Sequence, residues 1–327
     1  MALGTPGASE IVTTTLRNRA NEVADNYTNN NGLLRFLKKK GNVMPFGGGR
    51  TIAKSLAFAQ NGTANSYSGY DPIDITPQDV LTMAEFPIVQ YAASVTVSGL
   101  ELLMNSGKEQ AINLLKERVD NAYGSLENKI ALDLYGDGTA NGGKAIGGLA
   151  AAVSGTPTVG IYGGIDRSTT AGAFWRNQKF SGVTDGGAAV TQANITSYMN
   201  TLYYRCVRGG NKPKVAIADN AFYLKYLASL QANQRFTTSD TAQAGFGELM
   251  FLAGCPVIID GAYNGGAPAN TMYMLNTDFL YYQPHSARNF TEISERHAIN
   301  QDVMIKLIGW AGNVTLSNGF LQGVLVA

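Results

Sequence analysis

The sequence predicts an α+β fold organised around one long helix, and three observations lead to this prediction. Apolar residues recur every three or four positions over residues 108–135, which is the spacing of an α-helix. Segments with strand-like alternation precede and follow that helix. Helices and strands succeed one another without a βαβ repeat, which argues against a parallel α/β protein, and no internal repeat is visible.

We call the long helix the spine helix and predict it over residues 108–135, a length of about 40 Å at the usual helical rise. Ser106 and Glu109 have the spacing of a capping box at its start. Gly136 and Gly138 would end it, because glycine readily takes the left-handed conformation that closes a helix. Its buried stripe is predicted to contain Ile112, Leu115, Val119, Tyr123, Leu126, Ile130 and Leu134.

Two segments of different character precede the spine helix. Residues 9–27 could form a short helix, but the opening as a whole is polar and interrupted, which is typical of an arm that folds against something else and predicts no contribution to a core. Residues 50–58 and 84–97 alternate as strands and enclose a loop rich in Asn, Gly and Ser. An isolated hairpin of this kind is marginal in water, so we expect it to need a neighbour.

The chain beyond the spine helix mixes both kinds of element. A helix is predicted over residues 191–208, and Asp219 and Asn220 are placed to cap another. The final strand region is expected to break at Gly312 and again at residues 317–319. Strands are predicted within residues 214–218, 249–259, 272–282 and 303–327.

Charge and composition exclude some classes of protein. A net charge of +1 argues against an ordinary basic nucleic-acid-binding protein. Only 15% of the residues are charged and 38 of the 327 are glycine, which suits a surface covered by copies of the same chain, or a loop-rich β protein. Residues 1–50 hold seven Lys/Arg against three Asp/Glu, whereas residues 51–100 hold one against four, so these segments could meet within or between chains.

Cysteine use and the opening residues bear on the compartment. Cys206 and Cys255 are the only cysteines, which fits reduced cytosolic thiols and leaves a single disulfide open. The opening lacks the basic and apolar segments of a signal peptide, so the glycosylation patterns at Asn61 and Asn313 are expected to carry no glycan. No apolar run is long enough to predict a membrane span.

Residues 138–144 match a phosphate-binding loop up to its lysine but do not complete the motif. Ala145 follows, where the motif needs Ser or Thr to hold Mg²⁺. The segment also comes after a helix, whereas the motif comes after a strand. We interpret it as a turn and predict no nucleotide site.

No residue is predicted to be catalytic, to bind a cofactor or to ligate a metal. His285 and His297 lack cysteines at ligand spacing, and no Gly-x-Ser-x-Gly elbow is present for either to activate, so structural roles are favoured. Asp71 and Asp74 could pair as carboxylates, but a turn role is favoured. The lysines at residues 38–40 are interpreted as solvated surface, with phosphate contact as the alternative.

Several segments, taken together and in order, carry a family resemblance. They are Tyr67-Ser68-Gly69-Tyr70-Asp71, Ala84-Glu85-Phe86, Val97-Ser98-Gly99-Leu100-Glu101 through Asn105-Ser106-Gly107, the spine helix, Leu134-Tyr135-Gly136-Asp137-Gly138-Thr139, Ile146-Gly147-Gly148-Leu149, Gly164-Ile165-Asp166-Arg167 and Phe174-Trp175-Arg176-Asn177. As a set they resemble the major capsid proteins of tailed bacteriophages, which have the Hong Kong 97-like fold. No single one of them would suffice.

The resemblance implies a division of the chain. An N-terminal arm would comprise residues 1–48 and an extended loop, with a long β-hairpin, residues 49–98. A peripheral domain with the spine helix would comprise residues 99–145 and an axial domain residues 146–280. Residues 281–327 would supply the return strands of both domains.

The resemblance also implies a function. The chain would self-assemble through hexamers and pentamers into the icosahedral shell of a virion around double-stranded DNA, in the cytoplasm of a bacterial host. Its partners would be further copies of itself, a portal, separate scaffold or decoration proteins, and DNA by weak non-specific contact, with no membrane. The alternatives are an encapsulin-like compartment shell and, in another class, a Gly-rich hydrolase.

Two departures from the family refine these expectations. The arm begins almost at Met1, so we expect any scaffold to be a separate protein or to be absent. The extended loop holds one lysine, Lys54, on its rising strand and away from its tip, so we expect no covalent cross-link of the family's kind. Apolar residues such as Phe58 and Phe86 are expected to carry the contact of the loop with a neighbouring subunit.

Overall fold

The computed structural model describes residues 32–104, 114–231, 249–261, 266–297 and 301–327. Within these ranges helices and strands mix as predicted, and the α+β class is confirmed. The predicted helix at residues 9–27, the capping box of Ser106 and Glu109, and Ile112 lie outside the described residues. The described helices are α1 (Gly32–Lys39), α2 (Gly99–Met104), α3 (Leu114–Asp133), the single turns α4 (Ala140–Gly143) and α5 (Leu149–Ala152), α6 (Ile195–Arg205) and α7 (Asn220–Gln231).

The strands build two larger sheets and two small ribbons. Three short 3₁₀ turns, Ala171–Trp175, Leu252–Gly254 and Thr277–Phe279, connect some of them. The strands are β1 (Thr51–Ala57), β2 (Leu81–Pro87), β3 (Val89–Ser98), β4 (Ile161–Tyr162), β5 (Ile165–Asp166), β6 (Gln178–Ser181), β7 (Val215–Ala218), β8 (Leu249–Phe251), β9 (Cys255–Ile259), β10 (Thr271–Leu275), β11 (Leu280–Pro284), β12 (Thr291–His297), β13 (Val303–Leu316) and β14 (Gly323–Val326).

A six-stranded sheet in the order β6-β14-β10-β7-β9-β8 separates two apolar cores. Alternate residues of its strands point to opposite faces, as the pleat of a sheet requires. Val215 and Ile217 of β7 belong to the larger core, which also holds the spine helix. Ala216 and Ala218 of the same strand belong to the smaller core, which α6 and α7 cover. One short strand of four buried residues therefore serves both cores.

The second large sheet is organised around β13. One side of β13 pairs with β12 and β11 in succession. The other side pairs, from Val303 to Gly312, with the whole length of β3. The predicted break at Gly312 is wrong, because β13 continues through it. A Cβ at Gly312 would lie 2.3 Å from the carbonyl oxygen of Gln283, so this glycine permits a close approach of two strands.

The spine helix is α3 in its described part, and it packs against β3. Val119, Leu126, Ile130 and Leu134 are buried as predicted, and Tyr123 is half-buried. The left-handed glycine after the helix is Gly138 rather than Gly136. The spine helix is therefore embedded along the predicted stripe.

A capping box that sequence reasoning did not identify begins α2 directly after the end of β3. The amide of Ser98 donates to the Glu101 carboxylate at 3.0 Å, and the amide of Glu101 donates to the Ser98 hydroxyl at 3.2 Å. The Arg118 guanidinium binds the same carboxylate at 3.0 Å. This pair lowers the pKa of Glu101.

The strand prediction over residues 84–97 needs a correction. It expected one strand that returns along β1, but the region divides into β2 and β3, with Ile88 between them. Only β2 pairs with β1, from Thr51 opposite Pro87 to Ala57 opposite Leu81. Because β3 pairs with β13 instead, the long hairpin ends at Pro87 and the chain then enters the large sheet.

Candidate assembly surfaces

The β1–β2 ribbon of the extended loop buries one face on its own chain and exposes the other. On the exposed face Leu81 and Met83 leave 67% and 51% of their side-chain surface accessible. The alternation follows the period of two in a strand. The buried face consists of Ile52, Leu56, Ala84 and Phe86.

The connection between β1 and β2 adds more exposed apolar groups. Tyr67, Tyr70, Ile73 and Ile75 are each more than half exposed. Scattered exposed apolar residues are common, but a concentration of them on one projecting loop is typical of a protein-binding surface. We call Tyr67, Tyr70, Ile73, Ile75, Leu81 and Met83 the loop apolar set.

Side-chain hydrogen bonds shape the tip of the extended loop. Asn61 and Asp74 each accept hydrogen bonds from the amide and the hydroxyl of the threonine two residues later, at 2.6–3.0 Å. Asp71 accepts one from the amide of Ser68 at 2.9 Å. The bonds from Thr76 lower the pKa of Asp74. The structure thus places Asp71 and Asp74 in turns, as predicted, and the tip is partly pre-organised for binding.

The expectation that Phe86 contacts a neighbouring subunit is wrong. Phe86 is buried in its own chain, with its ring 5.2 Å from that of Tyr162. The adjacent amide of Glu85 donates to the carbonyl of Gly163 at 3.0 Å. Phe58 also packs within the chain, 5.6 Å from the ring of Phe174. The apolar residues left for a neighbour are those of the loop apolar set.

Lys54 is likewise engaged within its own subunit. Its amine lies over the ring of Tyr281, 4.6 Å from the centroid, which is a cation–π geometry. Partial burial lowers the pKa of Lys54. The amine is therefore directed at β11 of the same chain and lies far along the ribbon from its tip.

The arm is more deeply integrated than the sequence predicts. Leu33, Leu34 and Leu37 on one face of α1 are at most 1% exposed and belong to the larger core, so the expectation that the arm contributes no core is wrong for this helix. Residues 42–46 then run parallel to β11, and the amide of Met44 donates to the carbonyl of Tyr282 at 3.0 Å. This segment covers a sheet edge that would otherwise be open.

A buried carboxylate joins the arm to the rest of the subunit. Asp260 follows β9 and accepts a hydrogen bond from the amide of Leu33 at 2.8 Å, which caps α1. The hydroxyl of Tyr135, just beyond the spine helix, donates to the same carboxylate. Burial raises the pKa of Asp260 despite these donors. Sequence reasoning identified Asp260 only as the start of a turn.

The basic run of the arm is divided between two roles. Lys38 forms an ion pair with Glu127 on the spine helix and lies near the ring of Phe290. Arg35 and Lys39, one helical turn apart, are exposed, and Lys40 is exposed with its amine 5.7 Å from the centroid of the Phe36 ring. Contact with an external phosphate is therefore open to the latter three rather than to the whole run.

The segment that resembles a phosphate-binding loop satisfies its own backbone. The amides of Gly143 and Lys144 donate to the carbonyls of Thr139 and Ala140 at 3.0 and 3.3 Å. A phosphate-binding loop needs its amides directed at the ligand. The segment follows the spine helix, as the sequence indicates, and its geometry is that of a turn.

The remaining candidates for chemistry are the two histidines and the two cysteines. His285 lies in a turn, where its Nδ1 accepts from the amide of Ala287 at 3.1 Å, and the side chain of His297 lies outside the described residues. Cys206 and Cys255 are free and buried, and burial raises the pKa of each thiol to about 12. Among the described residues, no group of three or more His, Cys, Asp or Glu side chains could hold a metal ion.

The glycosylation pattern at Asn313 lies in a buried strand. Asn313 and Thr315 are at most 1% exposed within β13, so the folded chain offers no access to the Asn313 amide. The side chain of Asn313 instead makes three hydrogen bonds to the backbone. No local sequence signal indicates this role. Within the described ranges, each helix is too short or too polar to span a bilayer.

Comparison with known proteins gives a structural answer only. No family model matches the sequence, and no curated protein matches it. Solved structures do match over nearly the whole chain. The capsid asymmetric unit of cyanophage A-1(L) aligns with a TM-score of 0.69 and 20% identity, covering 100% of this chain and 99% of that one.

Two further matches are more distant in sequence. The capsid of the Myoviridae phage XM1 aligns with a TM-score of 0.56 and 13% identity, covering 95% of this chain and 97% of its own. The capsid of cyanophage P-SCSP1u aligns with a TM-score of 0.55 and 12% identity, covering 97% and 94%. The chain has the capsid fold of tailed phages. The predicted Hong Kong 97-like fold is thereby confirmed.

Proposed function

We propose that this chain is the major capsid protein of a tailed bacteriophage and assembles into the icosahedral shell of the virion. The observation that carries this proposal is the match of 95–100% of this chain to 97–99% of two capsid chains. Its role is structural rather than enzymatic. The shell forms from hexamers and pentamers in the bacterial cytoplasm and encloses double-stranded DNA.

The loop apolar set supports self-association. A projecting ribbon with six exposed apolar side chains loses free energy when a second copy covers them, by about 1.5–3 kcal/mol for each large side chain fully buried. The loop is acidic overall, with one lysine against four carboxylates in residues 51–100. Exposed ion pairs contribute roughly up to 1 kcal/mol each, so the apolar contacts dominate.

We propose the division that the sequence predicts, with the end of the extended loop moved to Pro87 because β3 belongs to the large sheet: arm 1–48, extended loop 49–87, peripheral domain 88–145, axial domain 146–280 and return strands 281–327. Strand partnership supports it. β13 returns to pair with β3 beside the spine helix, whereas β14 pairs with β10 and β6 in the six-stranded sheet. The last segment thus contributes strands to both large sheets.

The exposed basic residues of α1 suggest where weak contact with DNA occurs. Arg35, Lys39 and Lys40 face solvent, and Lys or Arg side chains neutralise phosphates without reading sequence. In this proposal α1 lies on the inner side of the shell. Protease digestion of intact filled particles should then spare residues 38–40. Rapid cleavage there in particles that stay intact would place α1 outside.

A portal and separate scaffold or decoration proteins complete the proposed partners.

The central experiment tests assembly and its dependence on the extended loop. The chain is expressed alone and examined by electron microscopy and sedimentation, with a variant that lacks residues 61–70 and with Ile73→Ser/Ile75→Ser. Wild type should form closed shells, whereas both variants should stay as soluble capsomers. Asn65→Ala, a polar change on the same loop, is the control and should assemble. A wild-type chain that stays monomeric would overturn the proposal.

An encapsulin-like compartment shell is the second candidate, because it would use the same fold. Particle contents separate the two. Shells purified from infected or induced cells should contain double-stranded DNA in the capsid case and packaged protein in the compartment case. The described residues give no separate support to a hydrolase, because both cysteines are buried and no group of three or more His, Cys, Asp or Glu side chains there could hold a metal ion.

A further inference from the structure

The extended loop leaves the large sheet at one sharply defined point. β3 pairs with β13 as far as Val89 opposite Gly312. The ladder stops at that pair. The residues before Ile88 belong to β2, which pairs with β1 instead. The next residue of β13 on this side is Asn313, whose side chain is 1% exposed. Asn313 therefore stands where the two ladders part.

The side chain of Asn313 takes over the hydrogen bonding at this point. Its amide nitrogen donates to the carbonyl of Pro87 at 2.7 Å. Its carbonyl oxygen accepts from the amides of Val314 at 2.8 Å and Gly147 at 3.3 Å. A carboxamide donates through its nitrogen and accepts through its oxygen. Because the Pro87 carbonyl needs a donor and the two amides need an acceptor, these backbone groups fix the orientation of the Asn313 side chain.

The other root of the extended loop offers no comparable restraint. Gly47, Gly48 and Gly49 are exposed, and a Cβ at Gly47 or Gly48 would meet nothing within 4 Å. Gly48 and Gly49 have φ of 145° and 121°, values that favour glycine. Pro87 is the last residue of β2 and lies opposite Thr51 at the start of β1, so holding its carbonyl holds the base of the whole ribbon.

We propose that Asn313 is a positioning residue that sets the direction in which the extended loop leaves the subunit, and couples that direction to the segment at Gly147 that enters the axial domain. This inference rests on the proposed function, since the direction of the loop determines where it meets a second copy. The contacts of Lys54 and Phe86 keep the ribbon folded on its own chain. Loss of the Asn313 bonds therefore loosens the angle of the ribbon without unfolding it.

The test measures the loop direction directly in unassembled protein. Spin labels at Asn65→Cys on the extended loop and Ser125→Cys on the exposed side of the spine helix report one distance distribution. Asn313→Ala should broaden or shift that distribution. Asn313→Asp should do the same, because a carboxylate still accepts from Val314 and Gly147 but cannot donate to Pro87. The second variant supplies the readout if the first is insoluble.

Asn177→Ala is the matched control. Asn177 is also buried and uses its carboxamide to bind the backbone, at Ser154 and Gln178, away from the extended loop. The Asn177→Ala variant should lower the melting temperature about as much as Asn313→Ala does, and it should leave the distance distribution between the two spin labels unchanged. Particle yield should fall about tenfold or more for Asn313→Ala relative to Asn177→Ala, since both variants leave buried groups unpaired but only Asn313→Ala changes the direction of the extended loop.

Two outcomes would overturn the inference. An unchanged distance distribution in Asn313→Ala or Asn313→Asp would show that other contacts set the loop direction. A changed distribution with the particle yield of the control would show that the direction does not matter for assembly. Failure of the wild-type chain to assemble would overturn the proposed function instead, since the distance measurement needs no shell.

Discussion

The hydroxyl of Tyr135 donates a 2.5 Å hydrogen bond to the carboxylate of Asp260. Asp260 is 4% exposed, and the same carboxylate caps α1 through the amide of Leu33. The end of the spine helix, the end of β9 and the start of the arm helix thus meet at one side chain. The arm helix α1 is therefore bound to its own subunit by contacts that need no second copy.

Replacing Asp260 should separate its role as an acceptor from its charge. Asp260→Ala leaves the amide of Leu33 and the hydroxyl of Tyr135 without their partner, at a cost of about 1–3 kcal/mol for each group that stays unsatisfied. Asp260→Asn keeps an acceptor of the same shape and should cost much less. Urea unfolding of the two variants measures the difference. Equal losses would show that the carboxylate charge, rather than the acceptor, holds the junction.

The stability contributed by Asp260 should depend on pH in a defined direction. Its pKa in the folded chain lies above the ordinary value of 3.8, because burial disfavours the charged form. Protonation therefore favours the folded state, and this contribution is fully present below pH 3.8 and is lost as the pH rises through the raised pKa. As the pH rises through that window the wild type loses this contribution, so the unfolding free energy of Asp260→Asn minus that of the wild type should increase. A difference independent of pH would contradict the raised pKa.

The spine helix offers a matched pair of leucines. Leu126 is 4% exposed and Leu132 is 42% exposed on the same helix. Leu126→Ala should lower the unfolding free energy by about 2–5 kcal/mol, because it leaves a cavity in the larger core. Leu132→Ala should change it by roughly 0.5 kcal/mol or less. Chemical denaturation of both variants provides the check, and similar losses would mean that the stripe is misplaced.

Assembled particles should contain no covalent bond through Lys54. Its amine is held over the ring of Tyr281 in the same subunit, on the rising strand of the extended loop. Boiled and denatured particles should therefore run as single chains on a gel. A ladder of multimers that disappears in Lys54→Arg would make Lys54 a reactive residue and refute this expectation.

Sequence patterns predicted the elements better than the way they meet. The stripe of the spine helix is visible because helical spacing repeats over several turns, and Val119 to Leu134 are placed as expected. The helix α1 is too short for such a pattern, and its apolar face is followed by three lysines. Its cap, Asp260, lies 227 residues from Leu33, a separation that no local signal bridges.

The same limit applies to the candidate surfaces. The extended loop was predicted from its composition and turns, but the division of the region into β2 and β3 depends on which partner each strand finds. Asn313 stood out only as part of a glycosylation pattern. Its actual partners, Pro87 and Gly147, lie 226 and 166 residues away, so its role follows from tertiary structure alone.

The position of β14 has a consequence for the timing of synthesis. β14 lies between β6 and β10, and each of its residues is made 145 positions after its partner in β6. Until the ribosome has released residues 323–326, β6 has no partner and β10 has one open edge. A nascent chain therefore cannot complete this sheet until residues 323–326 have been made, and a copy terminated before them would expose β6 and one edge of β10 to chaperones and proteases.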